Sequence, residues 1–390
     1  MKSRRCNLAI LGGGLAGSLI ALALASRRPD LDIVLIEQDD RLGGNHIWSF
    51  FGPDIAAADR WLITPLICQG WRGYDVRFPA HSRTLSTTYY SILSDRLDAH
   101  VRKSLPAASI LTGVRAIAAS QTNVVLNNGT RIEADGVIDA RGGGSLSHLN
   151  CGWQKFMGQM LDLAEPHGLD RPIVMDATVG QIDGYRFVYC LPFGPRQVFV
   201  EDTYYSEDRR IDVPQLEGRI AEYAERQGWQ VTAMGRRETG ALPVVWGGDF
   251  ARYWQSTGGD VAKAGVRAGL FHGLTGYSLP SAVRMAIAMT RMKSLRGDAL
   301  AKFSRQQGLD HWHDDAFYRM LSNMLFNAAD PKERYKVLER FYRLPQSLIS
   351  RFYAGRSTLA DKGRVLIGKP PVPIGKAIGA LAGSGRKVDA

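Results

Sequence analysis

Residues 7–25 read NLAILGGGLAGSLIALALA, and this stretch restricts the fold more than any other. An apolar run breaks on three consecutive glycines and resumes as a run rich in Ala and Leu. Gly12, Gly14 and Gly17 fit the spacing G-x-G-x-x-G, which predicts a buried strand, a tight turn and a helix. In such a unit the glycines permit the turn, close approach of backbone to a pyrophosphate, and tight packing of helix on strand. The next apolar run, DIVLIE, ends in Glu37, 20 residues past Gly17, where an acid accepts hydrogen bonds from an adenosine ribose. The expectation is an α/β dinucleotide-binding fold of Rossmann type.

After Glu37 the chain continues QDDRLGGNHIWSF, with Arg41, Gly43 and Gly44 in a loop. This loop resembles one in two-dinucleotide-binding flavoproteins, and the resemblance implies FAD in place of NAD. GVIDARGGG, a strand ending at Asp139 and followed by Arg141 and Gly142, resembles the second signature of that class. A third is RAGLFHGLTGYSLPSAVRMAIAMTRM, residues 267–292, in which Gly269 and Gly276 belong to a loop that leads into a helix. Ser278 is placed as its N-cap and Pro280 in its first turn, making the helix start an anion site. In the flavoprotein reading it faces the pyrimidine edge of the isoalloxazine. Arg267, Ala268 and Gly269 stand where such proteins usually carry Gly-Asp.

In a strand further along, VFVEDTYY, the apolar run Val198, Phe199 and Val200 ends in two adjacent carboxylates. Successive side chains of a strand point to opposite faces, so Glu201 and Asp202 occupy different environments. A carboxyl buried on one of those faces has a raised pKa and becomes a proton donor near neutral pH.

Composition narrows the surroundings of this chemistry. Four scattered cysteines without a C-x-x-C pair argue against a disulfide scaffold and a zinc site. The pair His311 and His313 at i and i+2 does not share a helix face, so no metal is expected. No signal peptide and no membrane-spanning run are expected, which places the chain on the cytosolic side. The formal net charge of +11 resides entirely from Arg284 onward. There the basic residues alternate with large apolar ones, as in LERFYRLPQSLISRFYAG, a pattern suited to a core or a lipid interface and unlike any nucleic-acid module.

Between the three signatures the segments GGNHIWSFF, MDATVGQIDGYRFVYCLPFGPRQVFVEDTYYS, ETGALPVVWGGDF, RAGLFHGLTGYSLP and LERFYRLPQSLISRFYAGRSTLADKGRVLIGKPPVPI closely resemble the bacterial lycopene β-cyclases. The resemblance runs in order from the start to about residue 375. Gly273-Leu274 departs from it, at a place where proline or another small residue followed by threonine is usual.

The resemblance implies acid-catalysed, non-redox cyclisation of the ψ-ends of lycopene through γ-carotene to β-carotene. It implies reduced FAD, maintained by NADPH or NADH. It assigns the chemistry to Glu201, with Asp202 as a less favoured actor and Glu238 in ETGALP as a second acid. His272 is a candidate base whose alternative is a hydrogen-bonded structural histidine. The implied architecture is a discontinuous FAD-binding domain (1–145 and 261–297), an inserted mainly β substrate domain (146–260) and a basic helical region (298–390). That last region is expected to meet the membrane peripherally or monotopically, because the substrate resides in lipid. Competing readings are a flavin monooxygenase or reductase acting on an isoprenoid, and a non-catalytic carotenoid-binding flavoprotein.

Overall fold

Strand Ser3–Leu11 is the axis of the first sheet in a computed structural model that describes residues 3–367. It pairs in parallel with Ile33–Ile36 on one side and Arg131–Asp139 on the other. Ile110–Leu111 and Ala262–Lys263 extend the parallel set, and an antiparallel pair, Asn123–Leu126 and Ala116–Ala119, completes the sheet. Helix Leu15–Arg27 follows the glycine turn at once and is buried on nearly all sides, because helix Leu279–Thr290 packs across it. A Cβ on Gly17 would stand 2.0 Å from the carbonyl oxygen of Gly12, so only glycine lets the helix approach the strand this closely. This is the mixed α/β architecture expected of a Rossmann-type flavoprotein.

The second sheet runs in the order Val231–Gly248, Leu149–Leu163, Gln197–Ser206, Tyr185–Gly194, Ile173–Asp176, Tyr74–Phe78, His81–Leu85. All neighbours are antiparallel except Ile173–Asp176 with Tyr74–Phe78, which run parallel. Its last two strands therefore come from within residues 1–145, the segment expected to belong wholly to the nucleotide unit. The cause is local: the hairpin Tyr74–Leu85 alternates buried and accessible residues and gains a buried face only by extending this sheet. A small sheet of Ile47–Phe51, Tyr89–Leu93 and Gln69–Trp71 bridges the two larger ones.

The two faces of the second sheet are chemically unlike. One packs Met157, Val188, Val198, Val200 and Tyr204 under helix Val213–Arg226. The other carries Phe187, Phe199 and Tyr205 toward the helices that follow residue 315. Those helices bury Tyr318, Phe326, Phe341, Tyr342 and Phe352 against it. Their apolar faces thus form core, one of the two placements the sequence pattern suited. Of the six exposed large apolar residues among those described, three, Leu359, Leu366 and Ile367, lie in or next to the last described helix, Leu359–Leu366, while Ile117, Ile182 and Met234 are elsewhere. Arg334, 1% exposed, joins the helical layer to the sheet by donating to the carbonyls of Leu325, Phe326 and Tyr205. Residues 368–390 of the expected 298–390 region lie outside the described residues. Among those described, no helix is long and apolar enough to cross a membrane.

Candidate active site

Strand Gln197–Ser206 presents Phe199, Glu201, Thr203 and Tyr205 on one face and Val198, Val200, Asp202 and Tyr204 on the other, as alternation requires. The first face opens on a cavity of about 380 Å³. The neighbouring strands contribute to the same wall in the same rhythm: Phe187, Tyr189 and Leu191, then Phe156, then Glu238, Gly240 and Leu242. Across the cavity stand Gly14, Ala140, Gly142 and the loop Thr275–Ser278. A single chamber therefore connects the glycine turn to the acidic strand.

Glu201 is enclosed by aromatic and aliphatic side chains, and its remaining accessible atoms open into the chamber. Burial, reinforced by the negative charge of nearby Glu238 and opposed by a hydrogen bond from Thr203, raises its pKa to about 8. Thr203 Oγ1 donates that bond at 2.7 Å to Oε1. The carboxyl group is thus a proton donor poised near neutral pH.

Asp202 does not reach the chamber, which corrects its place among the candidate acids. It is fully buried on the opposite face, where Arg186 Nε and Nη2 donate to its two oxygens at 2.8 and 3.2 Å. Tyr204 donates to the same carboxylate and is itself held by Arg219 Nη1 at 2.6 Å. Such a two-toothed buried pair anchors a sheet face and holds the carboxylate away from the chamber.

Glu238 does line the chamber and is 4% exposed. Ile47 N–H donates to its Oε2 at 3.0 Å and His46 Nδ1 lies 2.8 Å from its Oε1. Tyr189 sits opposite Glu201 in the strand ladder, and its hydroxyl shares a hydrogen bond with Tyr89, whose own hydroxyl lies 3.0 Å from that of Tyr277. Burial raises all three phenols well above their usual range, so they stay neutral. His46, Tyr189, Tyr89 and Tyr277 carried no assignment from sequence. An alternation count along YRFVYCLPF places Tyr189 on the face of Phe187 and Leu191 and would have found it.

His272 is a structural residue. It lies outside this chamber, its Nε2 bonded to the Phe352 carbonyl at 3.2 Å while Nδ1 accepts from the amides of Leu274 and Thr275. Burial depresses its pKa to about 3. The unusual Gly273 next to it donates its N–H to Asp315, and a Cβ there would stand 2.3 Å from that carboxylate. Glycine is the residue that admits this buried carboxylate, so the departure is matched by Asp315.

The glycine turn has the features needed to receive a dinucleotide. A Cβ at Gly14 or Gly142 would meet nothing within 4 Å, so both leave open space toward the chamber. Gly12 (φ +98°) and Gly17 serve turn and packing, and neither lines the chamber. Glu37 accepts from Gly13 N at 2.7 Å and from Asp39 N at 3.1 Å, which fixes its carboxylate beside the turn. Gly43, with φ +80°, donates to the Gly13 carbonyl at 2.8 Å, and Gly44 follows it in the same left-handed conformation.

Four expected contacts are arranged differently. Arg41 turns outward to Asp95 at 3.1 Å. Asp139 is buried and consumed by Arg141 and Arg267, so it shapes the end of its strand and does not face the chamber. Gly269 packs against Phe250, and Gly265 and Val266 line the chamber in its stead. Ser278 occupies the N-cap position of helix Leu279–Thr290 without a side-chain cap bond. The first amides of that helix thus lack a side-chain acceptor where Ser278, Leu279 and Ala282 meet the chamber, while Gly276 (φ +67°) turns the loop in. Thr275 Oγ1 and Gln154 Oε1, both in chamber-lining residues, are buried without partners. Among the described residues no group of three His, Cys, Asp or Glu side chains could hold a metal ion.

Comparison with known proteins gives the family and the fold. Residues 7–378 match the model of the family described as lycopene cyclase protein. The chain is 42% identical over 371 residues to a lycopene beta-cyclase of Pseudescherichia vulneris, covering 95% of this chain and 96% of that one. It is 41% identical over 376 residues to a lycopene beta-cyclase of Pantoea ananas, covering 96% and 97%. In fold it is similar to a geranylgeranyl bacteriochlorophyll reductase-like protein of Thermoplasma acidophilum, with TM-score 0.60, 15% identity and coverage of 97% and 99%. It is likewise similar to a flavin-dependent halogenase of Xanthomonas campestris, with TM-score 0.60, 12% identity and coverage of 98% and 94%. The protein has the fold of the FAD-dependent oxidoreductases, and the chain belongs to the lycopene cyclase family.

Proposed function

We propose that this protein cyclises the ψ-ends of lycopene, through γ-carotene, to the β-rings of β-carotene. The observation that carries the reading is a buried, protonatable Glu201 facing an aromatic chamber continuous with the dinucleotide turn. Protonating a carbon–carbon double bond requires a positioned acid in a dry site, because water would trap the resulting cation.

Glu201 donates its proton to C2 of the end group, leaving a tertiary cation at C1. The C5=C6 bond attacks C1, the C1–C6 bond forms, and loss of the C6 proton restores the C5=C6 double bond. No electrons are gained or lost overall. Phe187, Phe199, Tyr189 and Tyr205 offer π-density to the cation, and Glu238, held by Ile47 and facing His46, offers a counter-charge.

FAD suits the open glycines at Gly14 and Gly142, with Glu37 at the ribose and the start of helix Leu279–Thr290 at the flavin. When bound in its reduced form it supplies negative charge beside the chamber, with NADPH or NADH as external reductant. Thr275 and Gln154 have unpartnered polar atoms free to orient it. The exposed apolar residues Leu359, Leu366 and Ile367, with Lys362 and Arg364 among them, suit peripheral contact with an anionic lipid surface.

Lycopene in liposomes, with FAD and a reductant under anaerobic conditions, tests the reading through the absorption spectrum and retention of the products. β-Ring products without stoichiometric consumption of nicotinamide are expected. Absence of a β-ring, or equal turnover with oxidised FAD, defeats it.

A further inference from the structure

Loop 45–47 grips strand Val231–Gly248 at three successive residues. The Asn45 side chain donates to the Arg237 carbonyl, His46 Nδ1 lies 2.8 Å from Glu238 Oε1, and the Ile47 amide donates to Glu238 Oε2 at 3.0 Å. Arg236, two residues before Glu238, closes the clasp by donating to Ser94 Oγ at 3.0 Å. The Glu238 carboxyl is therefore fixed in the chamber wall. His46, which also lines the chamber, belongs to an exposed run, residues 44–46.

Glu201 and Glu238 enter the chamber from strands on either side of Leu149–Leu163, and their company differs. Glu201 lies among aromatic and aliphatic side chains with a hydroxyl, that of Thr203, as its hydrogen-bond donor. Glu238 has a backbone N–H on one oxygen and an imidazole on the other. The first setting suits a carboxyl that keeps its proton, and the second a carboxylate that receives one and passes it on. Paired carboxyls in unlike settings divide the acid and base roles between them.

Closure of the ring leaves the cation at C5, where protons can be lost from C6, from C4 or from the attached methyl group. Loss from C6 gives the β-ring, and loss from either other carbon gives an isomeric ring with its double bond elsewhere. The position of the base therefore decides the product. We propose that Glu238 is the catalytic base that takes the C6 proton and so fixes the ring type, with His46 as the positioning residue that orients and unloads it. The inference rests on the cyclisation reading.

The protons balance. Glu201 gives one to C2 and is left as a carboxylate; Glu238 takes the one on C6, whose bonding pair becomes the C5=C6 double bond. Once the ring has left, Glu238 passes its proton through His46 to water and Glu201 takes one from water. An imidazole suits the transfer because it accepts on one nitrogen and releases from the other.

Lycopene deuterated at C6 of both ends, turned over by the wild-type holoenzyme in liposomes with a reductant, tests the division without any variant. The label is expected in water and not in the product. Deuterium at C2 of a product ring overturns the proposal, since the group that took the C6 proton would then be the group that protonates C2.

Glu238→Gln keeps the shape of the side chain and an oxygen for the Ile47 amide. It is purified with bound FAD and compared with the wild type in melting temperature and flavin content. Formation of β-rings is expected to fall about 10²-fold or more. The rings that still form should include the isomers that lose a C4 or methyl proton, identified by chromatography, absorption and NMR. β-Rings as the sole product overturn the assignment. If the Gln variant does not fold, Glu238→Asp, with its carboxylate withdrawn by one methylene, is judged by the same criterion.

His46→Ala should be slower yet still make β-rings, because Glu238 remains. Added imidazole should restore part of the rate, which it would not do for a merely structural loss, and a loss that imidazole does not relieve removes His46 from the assignment. A wild type that forms no ring defeats the cyclisation reading itself, whereas β-rings alone from both the wild type and Glu238→Gln defeat this inference and leave that reading standing.

Discussion

Glu201 and Glu238 each pair in register with Gly158, the one from the strand on its left and the other from the strand on its right. The two carboxyl groups therefore share a row and a face, with Cα atoms about 10 Å apart by two strand spacings. Gly158 itself leaves the row open, and the Phe199 ring fills the gap. An acid and a second carboxylate thus flank an aromatic floor, the geometry wanted around a transient carbocation.

Replacing Glu201 by Gln should lower cyclisation by about 10²–10⁴-fold, the contribution of a positioned general acid. It should also stabilise the protein at alkaline pH. The folded pKa of about 8 lies above the ordinary carboxyl value, so folding takes up a proton and wild-type stability declines as pH rises toward and through 8. The Gln variant lacks this decline, so its melting temperature should exceed that of the wild type most clearly above pH 8. Wild-type turnover should fall over the same range, and a flat pH–rate profile would count against Glu201 as the donor.

Asp202→Asn should have the contrary phenotype. Breaking a buried pair with Arg186 costs about 3–5 kcal/mol, while the chamber face is untouched. Denaturant titration should show the loss, and the folded fraction should keep a specific activity within a few-fold of the wild type.

Gly158→Ala tests the aromatic floor. The added Cβ would stand 2.1 Å from Phe199 Cζ, so the ring must be displaced from its place between the two glutamates. Overpacking of this kind costs about 1–3 kcal/mol. Turnover should drop with little change in FAD content, and Phe199→Leu in the same chain should recover part of the lost stability, as measured by thermal melting.

Gly14 and Gly17 should fail differently. Gly14 has ordinary backbone angles and open space where a side chain would go, so Gly14→Val should fold and lose flavin, read from the yellow absorbance. Gly17→Val places a side chain against the Gly12 carbonyl and should not yield folded protein.

Liposome flotation tests the exposed end of the last helix. Binding to anionic vesicles should weaken as salt shortens the screening length from about 10 Å at 0.1 M to about 3 Å at 1 M. Leu359→Asp together with Ile367→Asp should abolish it with the melting temperature unchanged, since both positions are exposed.

Local rules carried the glycine turn, the place of Glu37 beside it and the opposed directions of Glu201 and Asp202, because each depends on residues adjacent in sequence or spaced by a fixed period, whereas the choice of Glu201 between the two acids came from the family resemblance. What escaped them depends on register. Arg186 meets Asp202 only because Val188 lies opposite Asp202 in the ladder, and no local pattern announces that alignment. Asp139 has the position of a cofactor contact, yet Arg267, from a distant segment, occupies it. Tyr89 comes from a strand of the small sheet and Tyr277 from the loop before helix Leu279–Thr290, and only the assembled chamber brings their hydroxyls together.

The pairing of Tyr74–Phe78 with Ile173–Asp176 also sets a schedule for biogenesis. At a translation rate of about 5–20 residues per second, the earlier strand leaves the ribosome roughly 5–20 s before its partner exists. Through that interval its edge is bare and prone to pair with other chains. Folding must therefore wait on synthesis. A fragment cut at residue 146 would leave both pieces with an unfinished sheet, so recombinant yield should depend on chaperone supply and slow expression more than on the stability of the finished fold.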